Sequence, residues 1–188
     1  MQKLPALLDS TGMLACGEDL GMIPATVPQV MDDLRILSLE IQRMPKSVEE
    51  TFAHPANYPY LSVCTTSTHD MNPIRAWWEE DREVTNDFWH MILGNQGEAP
   101  YFCEPWICRQ ILEQHVWSPA MLTVLPLQDW LSMDAQLRRE DPNVERINVP
   151  ANSRHYWRYR MHLTLEQLAQ ADEFNQNLAD MIAASGRR

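Results

Sequence analysis

The sequence predicts a parallel α/β fold about the size of half a (β/α)8 barrel. Three observations carry this reading. Four short apolar runs recur along the chain, helical periods lie between them, and each run ends in a polar cluster. Runs of four to eight residues with β-branched content read as strands, and near-continuous apolar ones as strands buried on both faces. Strands that alternate with helices give a parallel sheet. A complete (β/α)8 barrel takes roughly 250 residues; four strands with long insertions in 188 residues fit half of one.

The elements follow in order. Met13-Leu14-Ala15-Cys16 is the first strand candidate and runs into Gly17-Glu18-Asp19. A helix is expected over Ala25–Leu34, opened near Pro24, with Val27, Val30, Met31 and Leu34 on one face. The second strand run is Leu34–Ile41 and the third Tyr60–Thr65, which leads into Thr66-Ser67-Thr68-His69-Asp70. Asn72–Arg82 and Thr85–Leu93 read as an amphipathic helix pair. Glu104–Val116 reads as a helix with Pro105 in its first turn, where the missing N–H costs nothing. Ala120–Leu125 is the fourth strand run, followed by Pro126-Leu127-Gln128-Asp129. Arg139–Arg158 has no period and reads as a loop. Thr164–Ala184 is expected to be one helix, with a Thr164-x-x-Gln167 capping box, apolar Leu165, Leu168, Phe174, Leu178, Met181 and Ile182, and Gly186 at its end.

Composition narrows the function. With 45% hydrophobic and 22% charged residues the chain is neither disordered nor fibrous. Fifteen Lys and Arg against 26 Asp and Glu give a net charge of −11, which repels phosphate backbones and disfavours nucleic acid and anionic polymers. Neutral substrates remain. No run approaches the 18 apolar residues of a membrane span, and the first residues lack a signal-peptide core. Cys16 and Cys64 lie in apolar runs and read as small buried hydrophobes. Cys103 and Cys108 have no partner pair for a zinc site. The cysteine usage fits a reducing cytosol, so a cytoplasmic protein without a metal is expected.

Polar clusters at strand C-termini are where α/β folds place chemistry. Glu18 and Asp70 each follow a strand run, about 50 residues apart, close to two βα units of roughly 31 residues in a barrel. That spacing puts two carboxylates on alternate strands of one rim. Glycoside chemistry needs such a pair, one to protonate the leaving oxygen and one to carry negative charge. Both can equally serve as loop caps, and spacing alone leaves that open. Trp77, Trp78, Trp106 and Trp130 are candidates for stacking on sugar rings, or for the core. His54, His90, His115, His155 and His162 are assigned no role.

Five motifs occur in one order: Gly17-Glu18-Asp19-Leu20-Gly21, Thr66–Asp70, Pro126–Asp129, Glu145-Arg146-Ile147-Asn148-Val149-Pro150 and His155-Tyr156-Trp157-Arg158-Tyr159-Arg160. Together they resemble the C-terminal part of the 4-α-glucanotransferases (amylomaltases or disproportionating enzymes, glycoside hydrolase family 77). Leu39–Lys46 resembles the branch that contains the plant cytosolic enzyme. The resemblance implies strands five to eight of a (β/α)8 barrel with a C-terminal helix, and the whole of residues 1–188 as the C-terminal part of the catalytic domain. It implies that Glu18 is the general acid/base, Asp70 the transition-state-stabilising aspartate, His69 a contact to the same sugar, and Asn148 a substrate-loop residue. It implies retaining transfer of α-1,4-glucan segments between maltooligosaccharides, with no metal or organic cofactor. The family's nucleophilic aspartate lies in an Arg-x-Asp-His type motif that has no match here. The expectation is therefore a fragment lacking the N-terminal half, inactive alone, and prone to self-association through exposed barrel edges. Two other readings stand beside it: a non-catalytic glucan-binding half-barrel, and a glycoside hydrolase of the same clan.

Overall fold

The computed structural model describes residues 3–21 and 23–187. The chain divides into two compact units. One comprises the chain up to Thr65 together with Ser118–Val124; the other comprises Thr66–Trp117 and Leu125 onward.

The first unit holds the sheet. Strands β1 (Ser38–Ile41), β2 (Ser62–Thr65) and β3 (Leu122–Thr123) lie in the order β1-β2-β3, all parallel. Cys16 bridges Leu37 in parallel and so extends the order beyond β1. All four apolar runs thus meet in sequence order in one parallel sheet. Their lengths differ from the expectation. The first run contributes a single bridge, because Met13 and Leu14 are exposed. The second starts only at Ser38, because helix α2 (Val27–Asp33) ends on Leu34 and Arg35 turns the chain at φ 54°. In the fourth, the Met121 and Val124 N–H groups donate to Tyr60 and Cys64 carbonyls on either side of β3, while Leu122 and Val124 are exposed. Cys64 is buried with Tyr58 and Ala120, as a small apolar residue. Cys16 is exposed, contrary to the sequence reading, since it lies at the sheet's outer position. A short helix, α1 (Lys3–Asp9), precedes the sheet.

The second unit is helical. The stretch expected to be a helix from Asn72 to Arg82 stops early: α3 is Ile74–Trp78 and α4 is Arg82–Met91. Asp81 divides them, since its carboxylate accepts the Glu83 and Val84 N–H groups as N-cap of α4. Helix α5 (Pro105–Val116) has the expected Pro in its first turn and packs on α6 (Leu127–Leu131) and on the last helix. Trp78, Phe88 and Trp89 form the aromatic core, edge to face. Residues 139–158 form a loop broken only by a 3-10 turn at Pro142–Glu145.

Thr164–Ala184 is two helices, α7 (Leu165–Ala169) and α8 (Asp172–Ala184), not one. The capping box at Thr164 and Gln167 is formed at both of its bonds, and Gly186 follows at φ 77°. The break has a cause in the pattern. Leu165 and Leu168 belong to one apolar stripe, and Phe174, Leu178 and Met181 to a stripe one residue out of phase. Only the second stripe finds a core: Phe174 and Met181 are buried, while α7 buries nothing. No helix among the described residues is long and apolar enough to cross a membrane.

Candidate active site

Glu18 belongs to the first unit. The Gly17 N–H donates to Leu37 carbonyl at 2.8 Å, so Glu18 leaves the sheet at the C-terminal end of its outer position, with its side chain exposed. Its neighbour Asp19 turns inward. Asp19 accepts the Leu39 N–H at 2.8 Å and the Lys46 ammonium at 2.6 Å, and Lys46 also bonds Glu40 at 2.7 Å. Two buried carboxylates thus share one solvent-reaching ammonium, and the triad fastens the segment carrying Glu18 to β1. It borders a cavity of about 360 Å³ lined by Asp19, Met31, Glu40 and Lys46.

The other three candidates are brought together in the second unit. The Asn148 side-chain amide donates to Asp70 Oδ1 at 2.5 Å, and the Asn148 backbone N–H donates to His69 carbonyl at 3.1 Å. His69 Nε2 is 3.4 Å from Asp70 Oδ2. The tight hydrogen bond to the Asp70 carboxylate is therefore Asn148's, with the adjacent imidazole farther off at the other oxygen. His69 instead sets its ring 5.0 Å from that of Trp157, tilted by 48°. Asp70 and His69 are each about half exposed, so a polar ligand can reach both. The Asn148 loop is held in turn by Arg146, whose Nε donates to the Asn148 carbonyl, and by His155, paired with the Ile147 carbonyl at 2.8 Å.

The dipeptide Gln128-Asp129 in the first turn of α6 supports both loops. Asp129 is fully buried, and its Oδ2 accepts the hydroxyls of Thr66 and Ser67 at 2.5 and 3.1 Å. Its Oδ1 accepts the Ile74 N–H at 2.8 Å. One carboxylate thus clasps both ends of the loop that carries His69 and Asp70. Gln128 donates to the Glu145 carbonyl, at the start of the Asn148 loop. Beneath that loop Glu145 is buried; burial pushes its carboxyl up to about 7, outweighing the Arg75 guanidinium 4.0 Å away.

Sequence reasoning missed Asp19, Asp129 and Trp157. The first two had a signal, since each stands in a polar cluster directly after an apolar run. Trp157 is half exposed beside His69 and lies in the aromatic-basic motif before α7. Of the tryptophans named as stacking candidates, Trp78 is excluded: it is fully buried, with its Nε1 donating to the Pro100 carbonyl. Trp106 is exposed; Trp77 and Trp130 are half-buried. Among the described residues no group of three or more His, Cys, Asp or Glu is placed to hold a metal.

The family model for 4-alpha-glucanotransferase, glycoside hydrolase family 77, matches residues 1–165, and the chain belongs to that family. Within it, the chain is 41% identical over 187 residues to 4-alpha-glucanotransferase DPE2 of rice, covering 100% of this chain and 20% of the relative. It is 31% identical over 181 residues to the 4-alpha-glucanotransferase of Chlamydia muridarum, covering 95% of this chain and 34% of the relative. Amylomaltase from Streptococcus agalactiae, solved in complex with acarbose, superposes with a TM-score of 0.66 at 18% identity, over 92% of this chain and 32% of that one. The chain thus spans a fifth to a third of the length of these relatives.

Proposed function

We propose that this chain supplies the acid/base and the stabilising aspartate of a retaining 4-α-glucanotransferase that moves α-1,4-glucan segments between maltooligosaccharides in the cytoplasm. The observation that carries the reading is the family match over residues 1–165 combined with the Asp70–Asn148–His69 cluster inside it. In this reading the parallel order Cys16, β1, β2, β3 is strands five to eight of a (β/α)8 barrel, and residues 1–188 are the C-terminal part of its catalytic domain. Glu18 follows the first of these positions and Asp70 the third, the places this reading gives to the acid/base and to the stabilising aspartate. The nucleophilic aspartate is assigned to the length of the relatives beyond the matched segment.

The roles follow from the chemistry. Glu18 protonates the leaving glycosidic oxygen and, ionised, then draws the proton from the incoming sugar hydroxyl. Asp70 faces the positive charge that develops at the oxocarbenium-like sugar; a charge held there by Asn148 needs no reorganisation as the barrier is crossed. His69 and Trp157 offer an imidazole and an indole face to the same ring. Transfer wins over hydrolysis when a glucan hydroxyl reaches the glycosyl-enzyme before water. The test is the full-length gene product on maltotriose, with products separated by thin-layer chromatography. Longer glucans are expected; glucose and maltose alone identify a hydrolase, and no products at all a glucan-binding protein.

A further inference from the structure

The loop of residues 139–160 closes around a cavity of about 500 Å³ within the second unit. Arg139, Arg146, Arg154, Arg158 and Arg160 line it, and no carboxylate does. These are a third of the chain's 15 basic residues, gathered in one cavity of a protein with net charge −11. Among the described residues none of the five lies within 4.0 Å of a carboxylate oxygen. Arg139 and Arg146 donate to the Arg160 and Asn148 carbonyls, contacts that neutralise no charge. The Arg139 Nε and the Tyr159 hydroxyl are buried in this wall without a hydrogen-bond partner.

Unpaired guanidinium groups around one cavity repel each other unless an anion sits among them. Their planar forks match the oxygens of a phosphate, which accepts two bonds from each. The cavity falls in the size range of small-molecule sites, and it exceeds what a bare phosphate fills. Tyr156, three-quarters exposed at its edge, presents the ring face that sugars prefer. Ile147 lines the wall, directly before Asn148.

We propose that this cavity binds a phosphate monoester borne on a sugar, with the arginines on the dianion and the tyrosines against the sugar. The overall charge of the chain disfavours anionic polymers, and this cavity is where a single phosphorylated residue is accepted. Only the choice of a sugar as carrier rests on the glucan reading; the anion site stands on its own geometry.

The test is calorimetric titration of the full-length gene product with glucose 6-phosphate, inorganic phosphate and glucose. Glucose 6-phosphate is expected to bind, tighter than inorganic phosphate, with no heat from glucose at the same concentration. Arg154→Gln with Arg158→Gln, both exposed and outside the proposed catalytic cluster, is expected to weaken glucose 6-phosphate at least tenfold and to leave turnover of maltotriose unchanged. The paired Lys variant, which keeps the charge, is expected to recover part of the affinity. Should the Gln pair lose its native circular dichroism, wild type serves: affinity is expected to fall at least tenfold between roughly 50 and 500 mM NaCl. Binding that ignores the Gln pair or salt overturns the site. Inorganic phosphate binding as tightly as the sugar phosphate overturns the sugar as carrier. Failure of the glucan reading would appear separately, as wild type that does not turn over maltotriose.

Discussion

Asp70 receives its short hydrogen bond from a residue 78 positions away in sequence, Asn148, rather than from adjacent His69. A neighbour in sequence is a poor guide to the short hydrogen-bond partner where the backbone bends, as it does after Thr68. Two outcomes follow in the full-length enzyme. Asp70→Asn is expected to lower kcat far more than it raises KM, because its charge acts mainly on the oxocarbenium-like state; a change confined to KM would make Asp70 a binder only. Asn148→Ala is expected to do the same to a smaller extent, about tenfold in kcat for one lost charge-assisted hydrogen bond. For Glu18, replacement by Gln removes the transferable proton and is expected to cut turnover about 10²–10⁴-fold; a variant keeping more than half the rate would end the acid/base assignment. Glu145 governs stability instead. Its folded pKa of about 7 lies above the ordinary 4.5, so the folded state holds the proton more tightly than the unfolded one. Stability from this group is full below about pH 4.5 and is lost as pH rises through about 7. Urea denaturation between pH 5 and 8 is expected to show that decline, and Glu145→Gln to flatten it.

At the scale of elements, what was legible and what was not separate by physical cause. The four strand positions were legible because β-branched apolar runs have few other uses in an α/β chain. Their lengths were not, because an apolar residue such as Leu122 or Val124 reads the same in sequence whether its pairing is two residues long or six. The break between α3 and α4 was expected, but a few residues late, after Arg82 rather than at Asp81, since the amphipathic pattern runs through Asp81 and hides the cap inside it. The phase slip between Leu168 and Phe174 was readable in principle, and the strong capping box at Thr164 concealed it. For the site, the residues expected to touch sugar were nameable from motifs, whereas Asp129 required the fold: only there do Thr66, Ser67 and Ile74 return to one carboxylate. Asp129→Asn keeps the volume but halves the acceptors and removes the charge. It is expected to cost about 2–3 kcal/mol in urea denaturation, as buried charge-assisted hydrogen bonds are lost. It is also expected to lower kcat with little change in KM, since the loop carrying Asp70 would no longer be fixed at both ends.

At the scale of the whole molecule, the outer positions of the sheet decide how the 188-residue chain behaves alone. Beyond Cys16 on one side, and beyond β3 on the other, no described strand of the first unit continues the order. Met13 and Leu14 are exposed at the first position, and Leu122 and Val124 at the last. Parallel sheets owe their stability to cover on every side, and a bare edge with apolar side chains pairs readily with another chain. A two-fold arrangement of two such sheets would hide both edges in one isologous contact. The isolated chain is therefore expected to elute from size exclusion, with light scattering, as a dimer or larger species. A stable monomer near 21.9 kDa would contradict this. Charged replacements aimed at the edges, Leu14→Lys with Val124→Lys, are expected to shift the population towards monomer, because both side chains are solvent-facing and their removal leaves the core intact. The same preparation is expected to show no transfer on maltotriose. Two further carboxylates that follow strand runs, Asp19 and Asp129, are buried and held by hydrogen bonds, so neither is free to attack a sugar in place of a nucleophile. Transfer by the isolated chain would overturn that assignment and would require one of these networks to open.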